Sequence, residues 1–347
     1  MSLELVRESV RVNRVIGEET TQTIVENDMI VPDTKPDIAR ILLLDGDAYI
    51  NSTEAVQDKV LVNGLIRYKI LYVPDDPEQQ IKSINTAGSF SCSLDVPNVR
   101  MGMKCRVNCD IEHMDYEIRG GRKVNIKTIL NVYGKVTDEV EQQIVCDLAG
   151  IDGIQVLRND FRVSSYLGSS DTVTTVKEDI EIPSGSPTIR EILRSDTKIT
   201  GKDYKASDGK VIVKGEINVS TLYIADDEAG SIRFMEHEIP FTHFIDLPGI
   251  TEDSSCNVGF KISDAVFEAG EDGDGELRIL KGEVELGLWA EGYGSSEFRV
   301  VEDAYAPMVR LGLEKETLNV EEQAADSKSN VIIKYIMDIE DQSKKKD

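Results

Sequence analysis

The chain has 347 residues, of which 40% are hydrophobic, so it can hold two or three domains with full cores. Its formal net charge of −25 repels phosphate backbones, and nucleic acid is not expected as a partner. The acidic start of the chain is unlike a secretory signal, and there is no apolar run of about 18 residues that would span a membrane. We therefore expect the chain to fold in a cytoplasm.

The five cysteines are few, odd in number and irregularly spaced. Such a pattern argues against the disulfide framework of a small secreted protein. We predict buried or reduced thiols at Cys92, Cys105, Cys109, Cys146 and Cys256.

The sequence of the first half of the chain is repeated, with substitutions, in the second half. "VLVNGLIRYKILYVPDD", from Val60 to Asp76, returns 151 positions later (211 − 60) as "VIVKGEINVSTLYIADD". The same offset relates "RVNRVIGEETTQTIVENDMIVP" to "RVSSYLGSSDTVTTVKEDIEIP", and it becomes 156 after the five-residue insertion around "AGEDGDGE". A gapless match over roughly 100 positions indicates duplication. We predict one domain at 1–157, a second at 158–316, and an incomplete third repeat with a charged tail at 317–347.

A short helix is predicted in each module, in "PDIARILLL" from Pro36 and in "PTIREILRS" from Pro187. Proline suits the first helical turn, and Ile38, Ile41 and Leu42 would share one helical face. The stretch from Val60 to Asp76, rich in Val, Ile and Tyr, is typical of a strand.

Alternation of apolar and polar residues dominates the rest of each module. In "MGMKCRVNCDIEH", from Met101 to His113, every second residue is apolar, which predicts a strand with one buried face. "VNIKTILNVYG" and "GEVELGLWAEG" alternate in the same way, and Asp-Gly and Gly-Gly pairs separate the segments. We predict an all-β protein of two tandem, duplicated β-sandwich-like domains, each with seven or eight strands and one short helix.

Cys105, Cys109 and His113 are spaced by four, as metal ligands on a helix would be. On the predicted strand, however, they would spread over roughly 26 Å. The second copy has Cys256, Phe260 and Asp264 at these positions, so a core role is favoured and no metal site is expected.

No phosphate-binding loop, nucleophile elbow or zinc-protease motif is present, so we expect no enzyme activity and no cofactor. The acidic "EDGDGE", from Glu271 to Glu276, is interpreted as a hairpin tip rather than a calcium loop. Trp289 and Tyr133 occupy equivalent positions and are interpreted as core residues. A sugar-stacking surface formed by Trp289, Tyr293 and Tyr133 is the alternative.

The tail contains one further apolar segment, "NVIIKYIMDI", with the Val, Ile and Tyr content of a strand. An unpaired apolar strand is prone to association unless it finds a sheet edge. We expect it either to join the second domain or to be donated to a neighbouring subunit. The candidate interaction residues are Asn330, Val331, Ile332, Ile333, Tyr335, Ile336 and Ile339.

Four segments carry a resemblance to a known family: "ENDMIVPDTKPDIARILLLDG", "VLVNGLIRYKILYVPDD", "FSCSLDVPNVRMGMKCRVNCDIEHMDYEI" and "LNVYGKV". Together they resemble the SPOCS domain of clostridial SipL-like spore coat and exosporium proteins. The resemblance covers two copies and the start of a third. Its motifs look structural, and none is a catalytic site.

The resemblance implies a sporulation protein made in the mother-cell cytoplasm and then built into the spore coat or exosporium surface. Its implied partners are itself, as a homo-oligomer, lattice or filament, and other spore coat proteins. The family's LysM domain, used to contact a coat-scaffold ATPase, has no counterpart after Ile339, so peptidoglycan binding is not expected.

Three hypotheses of function follow from the sequence. The first is a self-assembling structural protein of the spore envelope, and the second is an adaptor that recruits another coat protein without polymerising. The third is a carbohydrate-binding β-sandwich, based on the aromatic residues near Trp289. A fold alone does not choose among them.

Overall fold

The structure is a computed structural model that describes residues 3–76, 80–183, 185–312 and 314–315. Within these ranges the chain forms twelve β-strands and no helix. The first half contains β1 (Glu4–Ile30), β2 (Ile38–Val56), β3 (Lys59–Pro74), β4 (Lys82–Asp95), β5 (Lys104–Arg119) and β6 (Lys123–Ala149). The second half contains β7 (Gln155–Glu181), β8 (Ile189–Ser207), β9 (Lys210–Ala225), β10 (Ile232–Asp246), β11 (Ser255–Gly270) and β12 (Ile279–Tyr305).

Each half is built from two three-stranded antiparallel sheets. The strand orders are β1-β6-β5 and β2-β3-β4 in the first half, and β7-β12-β11 and β8-β9-β10 in the second. The two sheets of a half bury their facing sides against each other, as in a β-sandwich. The prediction of an all-β protein made of two duplicated sandwich-like domains is confirmed, although each half has six strands among the described residues and not the predicted seven or eight.

The predicted short helices are wrong. The segments that begin at Pro36 and Pro187 lead into β2 and β8, which pair with β3 and β9. Both strands carry β-bulges, placed in β2 between Ile38 and Arg40 and between Ile41 and Leu43. A bulge adds one residue and breaks the alternation of side chains. Ile38 and Ile41 are therefore both buried although they are three positions apart, a spacing that imitates a helix face.

The central strands β3 and β9 explain how each core forms. Alternate residues of β3, including Val60, Val62, Ile66 and Ile70, are fully buried, and the residues between them are more exposed. Strand β9 repeats this pattern with Val211, Val213, Ile217 and Val219. A strand between two others and under a second sheet must bury one whole face. The two halves thus have separate main cores.

The connection between the halves is short. Strand β6 ends at Ala149 and β7 begins at Gln155, and the turn between them has Gly150 and Gly153 at positive φ (88° and 71°). The exact divisions predicted at 157/158 and 316/317 stay predictions. The tail segment from Asn330 to Ile339 lies outside the described residues.

The two halves contact each other through equivalent positions. Beyond the sandwiches, the start of β1 pairs with the end of β6, and the start of β7 pairs with the end of β12, forming two ribbons that pack face to face. The apolar cluster between the ribbons contains repeat-related pairs, namely Val10 with Phe161, Val12 with Val163, and Ile144 with Val300. The same surface of each half meets its copy, so the chain is an internal pseudo-dimer.

Candidate interaction surfaces

A cleft of about 1820 Å³ lies between the halves. It is lined by β2 and β5 from the first half and by the equivalent strands β8 and β11 from the second, with parts of β7 and β12. Its repeat-related walls carry different charges. The first wall has four carboxylates and one arginine, whereas the second has three lysines and one carboxylate. The carboxylates are Asp45, Asp47, Asp110 and Glu112 on the first wall, and the lysines are Lys198, Lys202 and Lys261 on the second.

Ion pairs also join the two halves. Arg67 contacts Asp264 through both guanidinium nitrogens, with 2.9 Å between Nη2 and Oδ2. Lys82 Nζ donates to Glu191 Oε2 at 2.8 Å, and Lys35 reaches the same carboxylate at 3.5 Å. These side chains are about one quarter to one third exposed. Partly exposed pairs of this kind add little stability each, so their main effect is to set which surfaces match.

A charge network of five residues lies where the repeat-related residues Asp45 and Asp196 approach each other, and Lys69 links it to Asp47 at 3.1 Å. Arg194 binds both carboxylates, and Lys69 Nζ donates to Asp196 Oδ1 at 3.0 Å. Burial opposes ionisation of Asp196, but the hydrogen bonds from Arg194 and Lys69 and their charges outweigh it. The pKa of Asp196 is therefore held below its ordinary value of 3.8.

We expect acid to loosen the contact between the halves in a way that depends on Asp196. A carboxylate with a lowered folded pKa stabilises the fold above its unfolded pKa, and this contribution is lost as the pH falls through the folded value. The radius of gyration of the wild type should rise as the pH falls below 3.8, and Asp196→Asn should already show part of that rise at pH 7. Small-angle scattering over pH 2 to 7 checks this. Superimposable curves for the two proteins would contradict the role given to Asp196.

Trp289 does not lie in the core of its half. Its neighbours Leu288 and Ala290 are buried, so the indole points to the opposite face of β12. There it packs on Gly259, whose missing Cβ leaves room for the ring, and Arg106 of the first half lies 3.7 Å from the ring centroid. Tyr133 is 36% exposed, so the interpretation of both rings as core residues is wrong. With Gly259 and Arg106 against it, the indole is no open platform for a sugar.

Arg106 fixes this contact between the halves. Its Nε donates to Glu291 Oε1 at 2.8 Å, and its Nη1 donates to Asp171 Oδ1 at 3.3 Å. The Glu291 side chain is only 13% exposed, so this pair is more desolvated than the Arg67–Asp264, Lys82–Glu191 and Arg194–Asp45 pairs. A guanidinium that stacks on an indole and binds a carboxylate uses both its plane and its edge.

The Cys105, Cys109 and His113 triplet lies on β5, as predicted from the alternation. Cys105 and Cys109 pack against the core of the first half, while His113 is exposed and lies 3.6 Å from Asp115. Burial, with a smaller effect of Cys92, raises the pKa of the Cys109 thiol to about 11, which keeps it protonated and unreactive. Over the described ranges, no three or more His, Cys, Asp or Glu side chains are grouped to hold a metal ion.

The outer face of β10 differs from its counterpart in the first half. Phe234 and Phe244, near opposite ends of this edge strand, are 62% and 52% exposed. The equivalent positions of β4 hold Ser83 and Ser93. Aromatic residues are enriched where proteins bind each other, so this strand is a second candidate contact surface. The sequence did not indicate this surface, because the exposure of a side chain cannot be inferred from isolated Phe residues.

The acidic segment from Glu271 to Glu276 forms the turn between β11 and β12. Within "EDGDGE", Asp272 accepts hydrogen bonds from the backbone of Asp274 and Glu276. The seven candidate interaction residues from Asn330 to Ile339 lie outside the described ranges. None of the described residues forms a helix long and apolar enough to cross a membrane.

Comparison with known families identifies one domain type in both halves. The family model described as "SipL, SPOCS domain" matches residues 37–119 and 188–269. These ranges correspond to β2 through β5 and to β8 through β11, whereas the long strands that form the ribbons lie outside them. Searches among curated proteins and solved structures found no match.

Proposed function

Because the chain belongs to the SPOCS-domain family, with one SPOCS domain in each half, we propose that it is a non-catalytic structural protein of the spore envelope. It works through contacts with proteins, either with other copies of itself or with other coat proteins. The double domain match is the observation that carries this proposal. Coat or exosporium is the proposed final location, after synthesis in the mother-cell cytoplasm.

The geometry supports a contact role. The cleft lies between two walls of unlike charge, and residues of the walls pair with the opposite half, as Asp45 does with Arg194 and Arg106 with Asp171. Burial raises the pKa values of the Cys92, Cys105 and Cys109 thiols, which disfavours their reactive thiolate form. What the molecule presents outward is charge together with exposed apolar residues on edge strands.

A SipL-like adaptor that recruits another coat protein without polymerising is the second candidate. One observation favours it: the equivalent surfaces of the two halves meet each other inside the chain. A contact between equivalent surfaces closes on itself and does not propagate. Under this candidate the protein binds a different coat protein through another surface, such as the outer face of β10.

Two experiments test the proposal. A fluorescent fusion should form a shell around the developing spore, and a diffuse signal throughout sporulation would contradict a structural role. Size-exclusion chromatography with light scattering on the pure protein, compared with a pull-down from sporulating cells, then separates the candidates. Self-assembly predicts large species of the pure protein, whereas an adaptor stays monomeric and captures a coat protein.

The outer face of β10 gives a prediction for either candidate. We expect Phe234→Ser with Phe244→Ser to weaken association at least tenfold while leaving the melting temperature within about 2 °C, since both rings are mostly exposed. The serines copy the equivalent residues of the first half. Leu61→Ser with Tyr116→Ser, which removes two other partly exposed apolar side chains, is the matched control. Unchanged association in the β10 variant would show that this face is not the contact.

A further inference from the structure

The contact between the two halves has the features of one that can also form between chains. We propose that a second copy of the protein is its partner at this surface: the first half of one chain pairs with the second half of another, in place of its own. This inference rests on the candidate function in which the protein associates with itself, and it names the surface through which two chains would associate. The surface consists of the ion pairs between the halves together with the paired ribbons.

Each half keeps its own core when the two separate. In the described part of the chain, the 22 buried residues of the first core all belong to residues 25–136, and the 18 of the second all belong to residues 180–290. Among the described residues, the contact between the halves consists of the apolar cluster of the ribbons, a smaller cluster formed by Leu71, Leu193 and Ile224, the stacking of Arg106 on Trp289, and ion pairs. Opening the contact therefore leaves both main cores closed, while it exposes these clusters and replaces the ion pairs by water.

The connecting turn allows the exchange. It has five residues, from 150 to 154, and both of its glycines adopt positive φ. Glycine reaches other backbone conformations at low steric cost, so rotation at Gly150 and Gly153 can change a tight turn into an extended link of about 17 Å. Exchange of identical elements through a hinge loop is a route to dimers that requires no new contact surface.

Charge decides which halves pair. Two first halves would bring their carboxylate-rich walls together, and two second halves would bring their lysine-rich walls together. A first half and a second half instead place unlike walls opposite each other and form ion pairs such as Arg67 with Asp264 and Arg194 with Asp45, whether they belong to one chain or to two. Within a chain the short link keeps the effective concentration at about the millimolar level, so exchange between chains becomes competitive only at comparable protein concentrations, as in a packed protein layer.

Charge reversal of the Arg67–Asp264 pair tests this directly. Arg67→Asp places two carboxylates opposite each other within one chain, and Asp264→Arg places two guanidinium groups there. When the two variants are mixed, opposite charges can be restored only between chains, since the carboxylate introduced in one variant then faces the guanidinium introduced in the other. We expect native mass spectrometry of the mixture, after incubation near 1 mM, to show a 1:1 complex at least tenfold more abundant than any dimer of either variant alone.

Two further sets of variants serve as controls. The variant carrying both reversals restores the pair within one chain and should behave as the wild type. Asp45→Arg mixed with Arg194→Asp repeats the test at a second pair, in case one variant fails to fold. Mixtures that form no more dimer than their components overturn the inference, while a spore-shell signal in the same protein would leave the proposed function standing.

Discussion

Gly64→Ala is expected to destabilise the protein by about 3 kcal/mol, whereas Gly215→Ala, at the equivalent position of the second half, should cost about 1 kcal/mol. Each glycine lies on a central strand beneath a phenylalanine of the next strand, Phe90 or Phe241. An added Cβ at Gly64 would lie 2.3 Å from the Phe90 ring and 2.4 Å from the backbone oxygen of Tyr49. At Gly215 the nearest atom of Phe241 is at 2.8 Å and the nearest backbone oxygen is at 3.3 Å.

The difference between the two sites originates in the neighbouring edge strand. In β2 one extra residue separates Ile50 from Ser52, and Ile50 still pairs with Gly64. In β8 two extra residues lie between Thr200 and Asp203, so Gly215 has no partner on that side. A ring can rotate away from a new methyl group, but a carbonyl oxygen held in a sheet cannot move without disturbing the ladder.

Urea unfolding of the two variants measures this prediction, with the midpoint as the readout. Leu94→Ala, which removes a fully buried side chain beside the same strands, gives a reference of about 3 kcal/mol from a simple cavity. Equal losses at Gly64 and Gly215 would show that the Tyr49 oxygen does not limit the site. A more stable Gly64→Ala variant would contradict the close approach of the Phe90 ring and the Tyr49 oxygen to residue 64.

The strands and the duplication could be predicted from the sequence because both leave regular signals. Alternation in the residues of β5, β6 and β12 specifies a one-sided strand directly. The bulged starts of β2 and β8 could not be predicted, because Ile38 and Ile41 have the spacing of a helix face and the proline before them suits a helix as well. Their pairing with β3 and β9 overrides this local signal.

The contact between the halves could not be predicted from the sequence. The residues that form it are charged or alternate normally, and nothing in Arg67 or Asp264 alone indicates that one lies opposite the other. Trp289 illustrates the same limit. The repeat alignment shows that Trp289 is equivalent to Tyr133. It does not show that the indole stacks with Arg106 of the other half, because that contact depends on how the two halves are arranged. Interfaces depend on how elements are arranged in space, which a single sequence does not state.

The two halves share a fold but have diverged inside their cores. In the first half Tyr68 and Thr128 are fully buried and share a hydrogen bond of 2.9 Å, and Asn27 Nδ2 donates to the same Tyr68 oxygen at 2.9 Å. The second half has Val219 and Val284 at the positions of the tyrosine and threonine. One core is therefore polar at a point where its copy is apolar. Low polarity around such a chain of hydrogen bonds strengthens it when complete and penalises it when broken.

Tyr68→Phe should accordingly cost about 2 kcal/mol of stability, although it removes a single oxygen. The loss arises because Thr128, which is fully buried, and the Asn27 amide both lose a partner in one step. Thr128→Val in the Tyr68→Phe background should recover about half of the loss, since it removes the stranded hydroxyl and restores the residue type that the second half uses at this position. Urea unfolding of the two single variants and the double variant forms a cycle whose coupling measures the shared bond. Losses that simply add would mean that the two hydroxyls do not act together, and the polar site in the first core would then have to be explained by packing alone.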